Sequence, residues 1–294
     1  MKTAAVDIGG TNIKTAVCIE PGKLTEESIT PTEAKKGGKY VMEKVISLIE
    51  RFGEIDGIGI SSAGQIDTVQ GSVIYANKNL PEYTGMPVKR MLEEHFRVTV
   101  TVENDVNAAA IGEGAYGAAK GVKNYLCLTY GTGVGGAAVI DGKLYRGRHG
   151  CAGEFGHMIL YPGGKRCACG QRGCYEQYAS VKSLLRLSAP AGAKNGYEVI
   201  ERLRRNDYAQ ESAVWQWTDW VADGLATLEH IFDAECIVLG GGIMESGELA
   251  GRIETALRQR LMPVYRDVEV RRAALGNQAG MLGAAYQIRR LLNG

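Results

Sequence analysis

Residues 154–176 read EFGHMILYPGGKRCACGQRGCYE and are bounded by two carboxylates, Glu154 and Glu176. Between them the segment supplies one histidine and three closely spaced cysteines, His157, Cys167, Cys169 and Cys174. Three thiolates and one imidazole form the ligand set of a closed tetrahedral Zn²⁺ site, which is usually structural. The alternative is that the cysteines are small buried hydrophobic side chains. Their clustering among glycine and basic residues favours the metal, so the sequence predicts a zinc-stapled loop that holds both glutamates in place.

The composition is that of an ordinary globular protein, with 45% hydrophobic and 23% charged residues. A length of 294 residues suggests two domains. A net charge of +1 gives no general attraction to nucleic acids or membranes. No apolar run approaches the roughly 18 residues of a spanning helix, and the first residues enter a strand pattern without a signal peptide. We therefore expect a cytoplasmic protein with reduced thiols and without nucleic-acid or membrane partners.

Two glycine-rich hairpins follow apolar strands in different parts of the chain. The strand at 4–8 leads into the turn at 9–12, and the strand at 125–129 leads into the turn at 131–136. Paired glycines expose backbone N–H groups that bind anions, and Asp7 beside the first turn is placed to hold a metal or its waters. Each turn alone is also compatible with an ordinary hairpin. Because the pattern occurs twice about one domain length apart, it indicates an internal duplication. We expect two similar α/β halves that share a cleft.

Further candidate residues lie where strands end. A strand at 98–102 delivers Asn104 and Asp105 just before a helix predicted at 108–117. The carboxylate of Asp105 should project toward a ligand, whereas a helix N-cap is the alternative reading for these residue types. The two roles are compatible for different members of the set. A strand at 236–239 ends in three glycines, which let a planar ligand lie flat against the backbone.

The motifs DIGGTNIK, ENDVNAAA, GTGVGG, GEFGHM, CACGQRGCYE and GGGI resemble those of the ROK family of bacterial sugar kinases and repressors, over essentially the whole chain. The resemblance implies an α/β protein of the actin/hexokinase-like ATPase fold, with two ribonuclease-H-like lobes around a central cleft. The small lobe is expected at 1–115, with a helix at 280–294 returning to it. The large lobe is expected at 116–279 and contains the zinc-binding insertion 157–174.

The resemblance also implies an ATP-dependent hexose kinase that acts most often on O6 of glucose, with Asp105 as the catalytic base. The implied sugar-binding residues are Gly64, Asn77, Asn104, Asp105, Glu154, His157 and Glu176. The residues expected around ATP and Mg²⁺ are Asp7, Gly9, Gly10, Thr11, Lys14, Thr132, Gly133, Gly241 and Gly242. The family also suggests a homodimer, with structural Zn²⁺ in each copy.

Two departures from the common family pattern concern the sugar. The loop after Ile60 reads Ser-Ala-Gly-Gln, where many members have a proline before the glycine, and the loop at 77–81 is slightly longer. N-acetylmannosamine and β-glucosides are therefore alternatives to glucose. A repressor is the alternative from another class, but repressors carry a helix-turn-helix domain before the first lobe, and here a strand begins a few residues after Met1. A sugar sensor without catalysis is less favoured because Asp105 and both hairpins are present.

Overall fold

The computed structural model of the protein describes residues 1–205 and 207–294. Its strands, in chain order, are β1 (Thr3–Ile8), β2 (Asn12–Cys18), β3 (Thr25–Pro31), β4 (Gly57–Ser62), β5 (Gln65–Asp67), β6 (Ser72–Tyr75), β7 (Thr99–Asn104), β8 (Tyr125–Tyr130), β9 (Val134–Ile140), β10 (Lys143–Leu144), β11 (Cys236–Gly240) and β12 (Glu269–Arg272). Its α-helices are α1 (Gly38–Glu50), α2 (Val88–Phe96), α3 (Asp105–Tyr116), α4 (Glu176–Ala179), α5 (Val181–Ser188), α6 (Gly196–Arg204), α7 (Tyr208–Phe232), α8 (Gly247–Arg260) and α9 (Ala279–Leu292).

The chain forms two compact units that are interleaved in sequence. Unit 1 comprises Met1–Gly121, Leu144–Ala152 and Asn277–Gly294, and unit 2 comprises Val122–Lys143 and Gly153–Gly276. The C-terminal helix α9 thus belongs to the unit that contains β1. The lobe boundaries given by the sequence motifs stay a prediction.

The main sheets of the chain have the same topology. One has the order β3-β2-β1-β4-β7, and the other has the order β10-β9-β8-β11-β12. In the first, β1 pairs antiparallel with β2 and parallel with β4. In the second, β8 pairs antiparallel with β9 and parallel with β11. The repeated order is what an internal duplication of one α/β half would produce.

Strand β4 shows how the sequence places helices on both faces of the first sheet. Successive side chains of a strand point to opposite faces. Ile58 and Ile60 are fully buried in the hydrophobic core of unit 1, while the alternating Gly57 and Gly59 face α9. A Cβ on Gly59 would overlap the backbone carbonyl of Ala284. The GIGI sequence therefore provides a core on one face and a seat for α9 on the other.

Helices α3 and α9 approach each other backbone to backbone. A Cβ on Gly112 would overlap the carbonyl oxygen of Ala279, and a Cβ on Gly283 would overlap the carbonyl of Ala108. Small residues permit this spacing, as the sequence of α3 suggested. The helix starts at Asp105 and not at 108 as predicted. The close contact with α9 therefore fixes a helix whose first residue is the candidate base.

Two other elements differ from the sequence prediction. Helix α7 was predicted at 215–232 but begins at Tyr208, because the Asp207 carboxylate accepts hydrogen bonds from the next turn and caps it. The loop predicted at 61–67 includes the end of β4 and all of β5, which pairs with β6. These short strands carry too few residues for a period-2 pattern to stand out.

The core of unit 2 surrounds α7. Trp217 is fully buried, and its indole N–H donates to the carbonyl of Ala179 at 2.9 Å. Trp215 is 46% exposed and lies under the guanidinium of Arg252.

Among the described residues, no helix is long and apolar enough to cross a membrane.

Candidate active site and metal centre

The junction between β7 and α3 is a dense hydrogen-bond network around Asn104. Its side-chain oxygen accepts from the backbone N–H groups of Val106 at 3.0 Å and Asn107 at 3.1 Å, so Asn104 is the N-cap of α3. Its amide nitrogen donates to the carbonyl of Gly64 and to Asp105 Oδ1, both at 2.9 Å. All four polar positions of this carboxamide are therefore in use, and a sugar hydroxyl would compete with them.

The same network leaves Asp105 available for chemistry, because the capping role falls on Asn104. Burial, and to a smaller extent the nearby Asp7 carboxylate, raise the pKa of the Asp105 carboxyl to about 6, against the opposing N–H bonds from Val106 and Asn104. A carboxylate with a pKa near the working pH is well matched to accept a proton. The N-cap role thus falls on Asn104, and the base role of Asp105 stays a prediction.

Asp7 lies on β1 between two polar neighbours. Its Oδ1 accepts from Ser61 Oγ at 2.8 Å, and its Oδ2 is 3.1 Å from Lys14 Nζ. The adjoining turn is closed by the N–H of Gly9 donating to the carbonyl of Asn12 at 3.0 Å. The predicted residues Asp7, Gly9 and Lys14 are thus neighbours. A cation at Asp7 would share the carboxylate with the ammonium group of Lys14.

Gly64 and Asn77 follow β4 and β6 respectively. Gly64 has a φ of 101°, and a Cβ there would meet the carbonyl of Tyr75, so glycine is required at this turn. Asn77 is exposed, and its side-chain oxygen accepts from the N–H of Asn79 at 2.9 Å. Among the described residues, Asn77 is outside the hydrogen-bond network of Asn104, so its sugar-binding role stays a prediction.

The four predicted metal ligands are gathered in unit 2. The ligand atoms of His157, Cys167, Cys169 and Cys174 all lie within 4.8 Å of one another. The Cys169 and Cys174 sulfurs are 3.6 Å apart, and Cys167 Sγ is 3.7 Å from His157 Nδ1. Zinc–sulfur bonds of about 2.3 Å in a tetrahedron place two sulfurs about 3.8 Å apart. The donor set therefore fits a tetrahedral zinc ion.

The imidazole of His157 faces two ways. Nδ1 points to the cysteine cluster, whereas Nε2 is 4.0 Å from Glu154 Oε2. One ring nitrogen can therefore bind a metal while the other lies beside the carboxylate predicted to bind sugar. Metal-ligating histidines commonly use their second nitrogen in this way.

Glu176 connects the end of the metal loop to the second glycine hairpin. Its Oε2 accepts from the backbone N–H of Val134 at 3.2 Å. A Cβ on Gly133 would overlap this carboxylate, so a larger residue after Thr132 would displace the Glu176 side chain. The predicted phosphate hairpin and the predicted sugar ligand therefore lie side by side in unit 2.

Unit 2 contains a cavity of about 740 Å³, within the size range of small-molecule sites. Its walls come from the second glycine hairpin, α5, α6 and the turn after β11, and they include Thr132, Leu185, Tyr197, Ile200, Arg204 and Gly242. Gly241 has a φ of 98°, and a Cβ there would overlap the carbonyl of Tyr130. The glycine triplet thus turns tightly beneath this cavity.

The sequence did not identify most of these walls. Of the residues in the cavity wall, Thr132 and Gly242 were predicted as nucleotide contacts, but Lys182 and the residues of α6 were not. The sequence contains one local signal for the start of α6. Asn195 accepts from the N–H of Glu198 at 3.0 Å and caps this helix. An N-cap predicts where a helix starts but not which distant loop it faces. The cavity therefore required the tertiary structure.

A family model described as the ROK family matches residues 3–290. The chain belongs to the ROK family. It is 35% identical over 308 residues to a glucokinase of Streptomyces coelicolor, covering 96% of each chain. It is also 34% identical over 230 residues to a xylose repressor of Bacillus spizizenii, covering 77% of this chain and 59% of the repressor.

Among solved structures, a ROK family glucokinase from Streptomyces griseus in complex with glucose and AMPPNP matches with a TM-score of 0.87. The identity is 33%, and the match covers 99% of this chain and 100% of that chain. Together with the family match, this confirms the predicted family and fold class, an α/β protein of the ROK hexokinase-like ATPase fold.

Proposed function

We propose that this ROK protein transfers the γ-phosphoryl group of ATP to a hexose hydroxyl, with O6 of glucose as the first choice. The observation that carries the proposal is the Asp105 carboxyl, with its pKa raised to about 6 and one oxygen held by Asn104. The glucokinase relatives support the reaction class. Asp105 would take the proton of the attacking hydroxyl as that oxygen bonds to the γ-phosphorus and ADP leaves.

The proposed sugar contacts are oxygen-rich groups. In unit 1, a ring hydroxyl would replace one of the present hydrogen bonds of the Asn104 amide, such as the one to the Gly64 carbonyl, with Asn77 in a supporting role. In unit 2, Glu154, His157 and Glu176 would accept or donate to ring hydroxyls, as charged acceptors suit hydroxyl groups. Zinc bound by the cysteine cluster would fix the loop that carries these side chains and would take no part in the chemistry.

The nucleotide would lie in unit 2 with its adenosine in the 740 Å³ cavity beside Gly241 and Gly242. The turns at 9–11 and at 132–133 are each proposed as phosphate contacts through their N–H groups, since such turns form anion-binding concavities. Mg²⁺ bound with ATP would neutralise phosphate charge, and Asp7 would hold it or its waters. Lys14, beside Asp7, would contribute a second positive charge to the phosphates.

The decisive experiment is ATP-dependent ADP release across a panel of glucose, mannose, fructose, allose, N-acetylglucosamine, N-acetylmannosamine and cellobiose. We expect one sugar, with glucose first, to turn over well above the rest. N-acetylmannosamine or a β-glucoside would take its place if the unusual loops at 61–67 and 77–81 widen the sugar pocket. Absence of turnover with the whole panel, from zinc-loaded protein, would contradict the kinase assignment for these sugars.

A sugar-sensing regulator is the second candidate, and the similarity to a xylose repressor favours it. That function needs sugar binding without transfer. Calorimetry with each sugar, in the absence of nucleotide, separates the two. Tight binding of a sugar that never becomes phosphorylated would support the regulator. The cytoplasmic location, the homodimer and the lobes at 1–115 and 116–279 are further parts of the proposal.

A further inference from the structure

Glu103 is a buried carboxylate immediately before the two residues of the proposed sugar and base site. It is 1% exposed and is the last residue but one of β7. Its Oε1 accepts from the backbone N–H of Asn104 at 3.0 Å and from Asn107 Nδ2 at 3.1 Å. Its Oε2 accepts from Arg146 Nη2 at 2.6 Å and from Gln287 Nε2 at 3.2 Å. A single side chain thus joins the strand end to three other parts of unit 1.

A buried charge of this kind is costly unless it is paired and fully hydrogen-bonded. Here the positive partner is Arg146, from the segment Leu144–Ala152. That segment belongs to unit 1, although the chain on either side of it belongs to unit 2. Two residues beyond it is Glu154, a proposed sugar ligand. The ion pair therefore fixes the start of α3 to the segment that leads into the sugar-binding part of unit 2.

The contacts of Glu103 act on Asn104 in two ways. They fix the Asn104 backbone through its N–H, and they hold Asn107, whose own N–H the Asn104 side chain caps. The Asn104 amide in turn donates to Asp105 Oδ1 and to the Gly64 carbonyl. A change in charge at Glu103 would thus pass to the base through one intervening residue.

We propose that Glu103 and Arg146 form a positioning pair that orients the Asn104 carboxamide and, through it, the Asp105 carboxylate. Neither residue touches the reacting atoms. The inference rests on the proposed function, in which Asp105 is the base. It assigns to the hydrogen-bonded junction of β7 and α3 a task beyond folding, which is to hold the base in the position needed for proton transfer.

The test compares Glu103→Gln with Glu113→Gln. Glu113 is a matched control because it is also 1% exposed and lies in the last turn of α3, where it accepts from the N–H of Ala118 at 2.7 Å. Both variants lose a buried charge beside the same helix. We expect Glu103→Gln to lower kcat about 10- to 100-fold, the scale of small displacements of a catalytic group, with KM for ATP unchanged. Glu113→Gln should leave kcat within about twofold when assayed well below its Tm.

Arg146 provides the second arm of the test. Arg146→Met should lower kcat as Glu103→Gln does, and Arg146→Lys should restore part of the loss because it keeps the positive charge. The double variant Glu103→Gln/Arg146→Met should be no worse than the worse single variant, since both remove one interaction. Equal losses of kcat in Glu103→Gln and Glu113→Gln would show that Glu103 acts only through folding, and this would overturn the proposal.

A measurement that does not need turnover distinguishes the positioning role of Glu103 from the kinase assignment. In protein labelled with ¹⁵N-asparagine, the side-chain amide signals of Asn104 report its bonds to Asp105 and Gly64. These signals should move in Glu103→Gln and Arg146→Met and stay in place in Glu113→Gln. If no sugar turns over in the unmodified protein, the kinase assignment fails while the amide signals still decide the positioning role. Unmoved Asn104 signals in Glu103→Gln would refute it.

Discussion

The two main sheets have the same strand order, yet the same corner of each is built from different residues. Strand β4 of unit 1 and β11 of unit 2 occupy equivalent positions. At the end of β4 this corner holds polar groups, as Ser61 donates to Asp7 and Ser62 bonds to Tyr83. After β11 the same corner consists of glycines, which have no side chains and lie beside a cavity of about 740 Å³. Duplication supplies the backbone frame, and the residues at the strand ends decide what each copy can bind.

The units also differ in how they hold the carboxylates to which we assign a function. In unit 1, Asp105 is held by hydrogen bonds from Asn104 and Val106 at a helix start, and burial tunes its pKa. In unit 2, Glu154 and Glu176 flank a loop that gathers four candidate metal ligands. If this contrast is right, unit 1 governs the chemical step and the metal loop governs sugar affinity.

The largest effect should come from Asp105→Asn, which removes the base without changing its shape. We expect kcat to fall about 10²- to 10⁴-fold, the usual contribution of a general base, while sugar binding measured by calorimetry survives. Asp56→Asn is the control, because that carboxylate is exposed and accepts from the backbone N–H of Lys2 at 2.6 Å, outside the proposed site. Turnover retained in Asp105→Asn would break the assignment of chemistry to unit 1.

Loss of the metal should act on sugar affinity. Cys169→Ser, or removal of zinc by a chelator, should raise KM for the sugar about 10- to 100-fold, as for other perturbed metal shells, with little change in KM for ATP. Cys151→Ser is the control, since Cys151 is outside the cluster. Metal content is measured in parallel. The same sugar affinity in metal-free and loaded protein would argue against the structural role of the loop.

The cavity of unit 2 should govern nucleotide affinity. Ile200→Trp enlarges a side chain in its wall and should raise KM for ATP about tenfold, the scale of small shape changes in a pocket. KM for the sugar should stay the same. Ile231→Trp, at a position on α7 that is 67% exposed, is the control. An unchanged KM for ATP in Ile200→Trp would place the adenosine elsewhere.

The smallest effect concerns stability, and its sign follows from the pKa of Asp105. Because folding raises this pKa from 3.8 to about 6, the folded state holds the proton more tightly and ionisation opposes folding. The penalty is absent below the unfolded pKa and is complete above about pH 6. Asp105→Asn should therefore raise Tm at pH 7.5, with a gain that shrinks as the pH falls from 6 to 4. A gain that is independent of pH would point to a cause other than charge.

Local patterns were enough to place many of these residues. The cysteine spacing predicted the metal ligands that the structure gathers, and the strand-hairpin-strand repeat predicted two similar sheets. Such features are encoded within about 20 residues. The predicted start of α3, at residue 108, was three residues too late. The Asn104 side chain caps the helix, so the helix already begins at Asp105.

Other features depend on residues far apart in the chain. Glu103 meets Arg146 and Gln287, which lie 43 and 184 positions away, and no local period links them. The cavity likewise combines α6 with the turn after β11. Hydrophobic periodicity identifies the faces of elements but not which ones meet, so these contacts were beyond reach of the sequence alone.

The interleaving of the units has a consequence for synthesis on the ribosome. In unit 1, Ala5 and Ala16 pack against Met281 and Ala285 of α9 in one hydrophobic cluster. This cluster cannot close until residue 285 has left the exit tunnel, long after residue 121 has emerged. At 5–20 residues per second, the wait is on the order of 10–30 s. During translation the small-residue face of the first sheet is therefore left for chaperones to shield, whereas the chain of unit 2 is complete before α9 has been made.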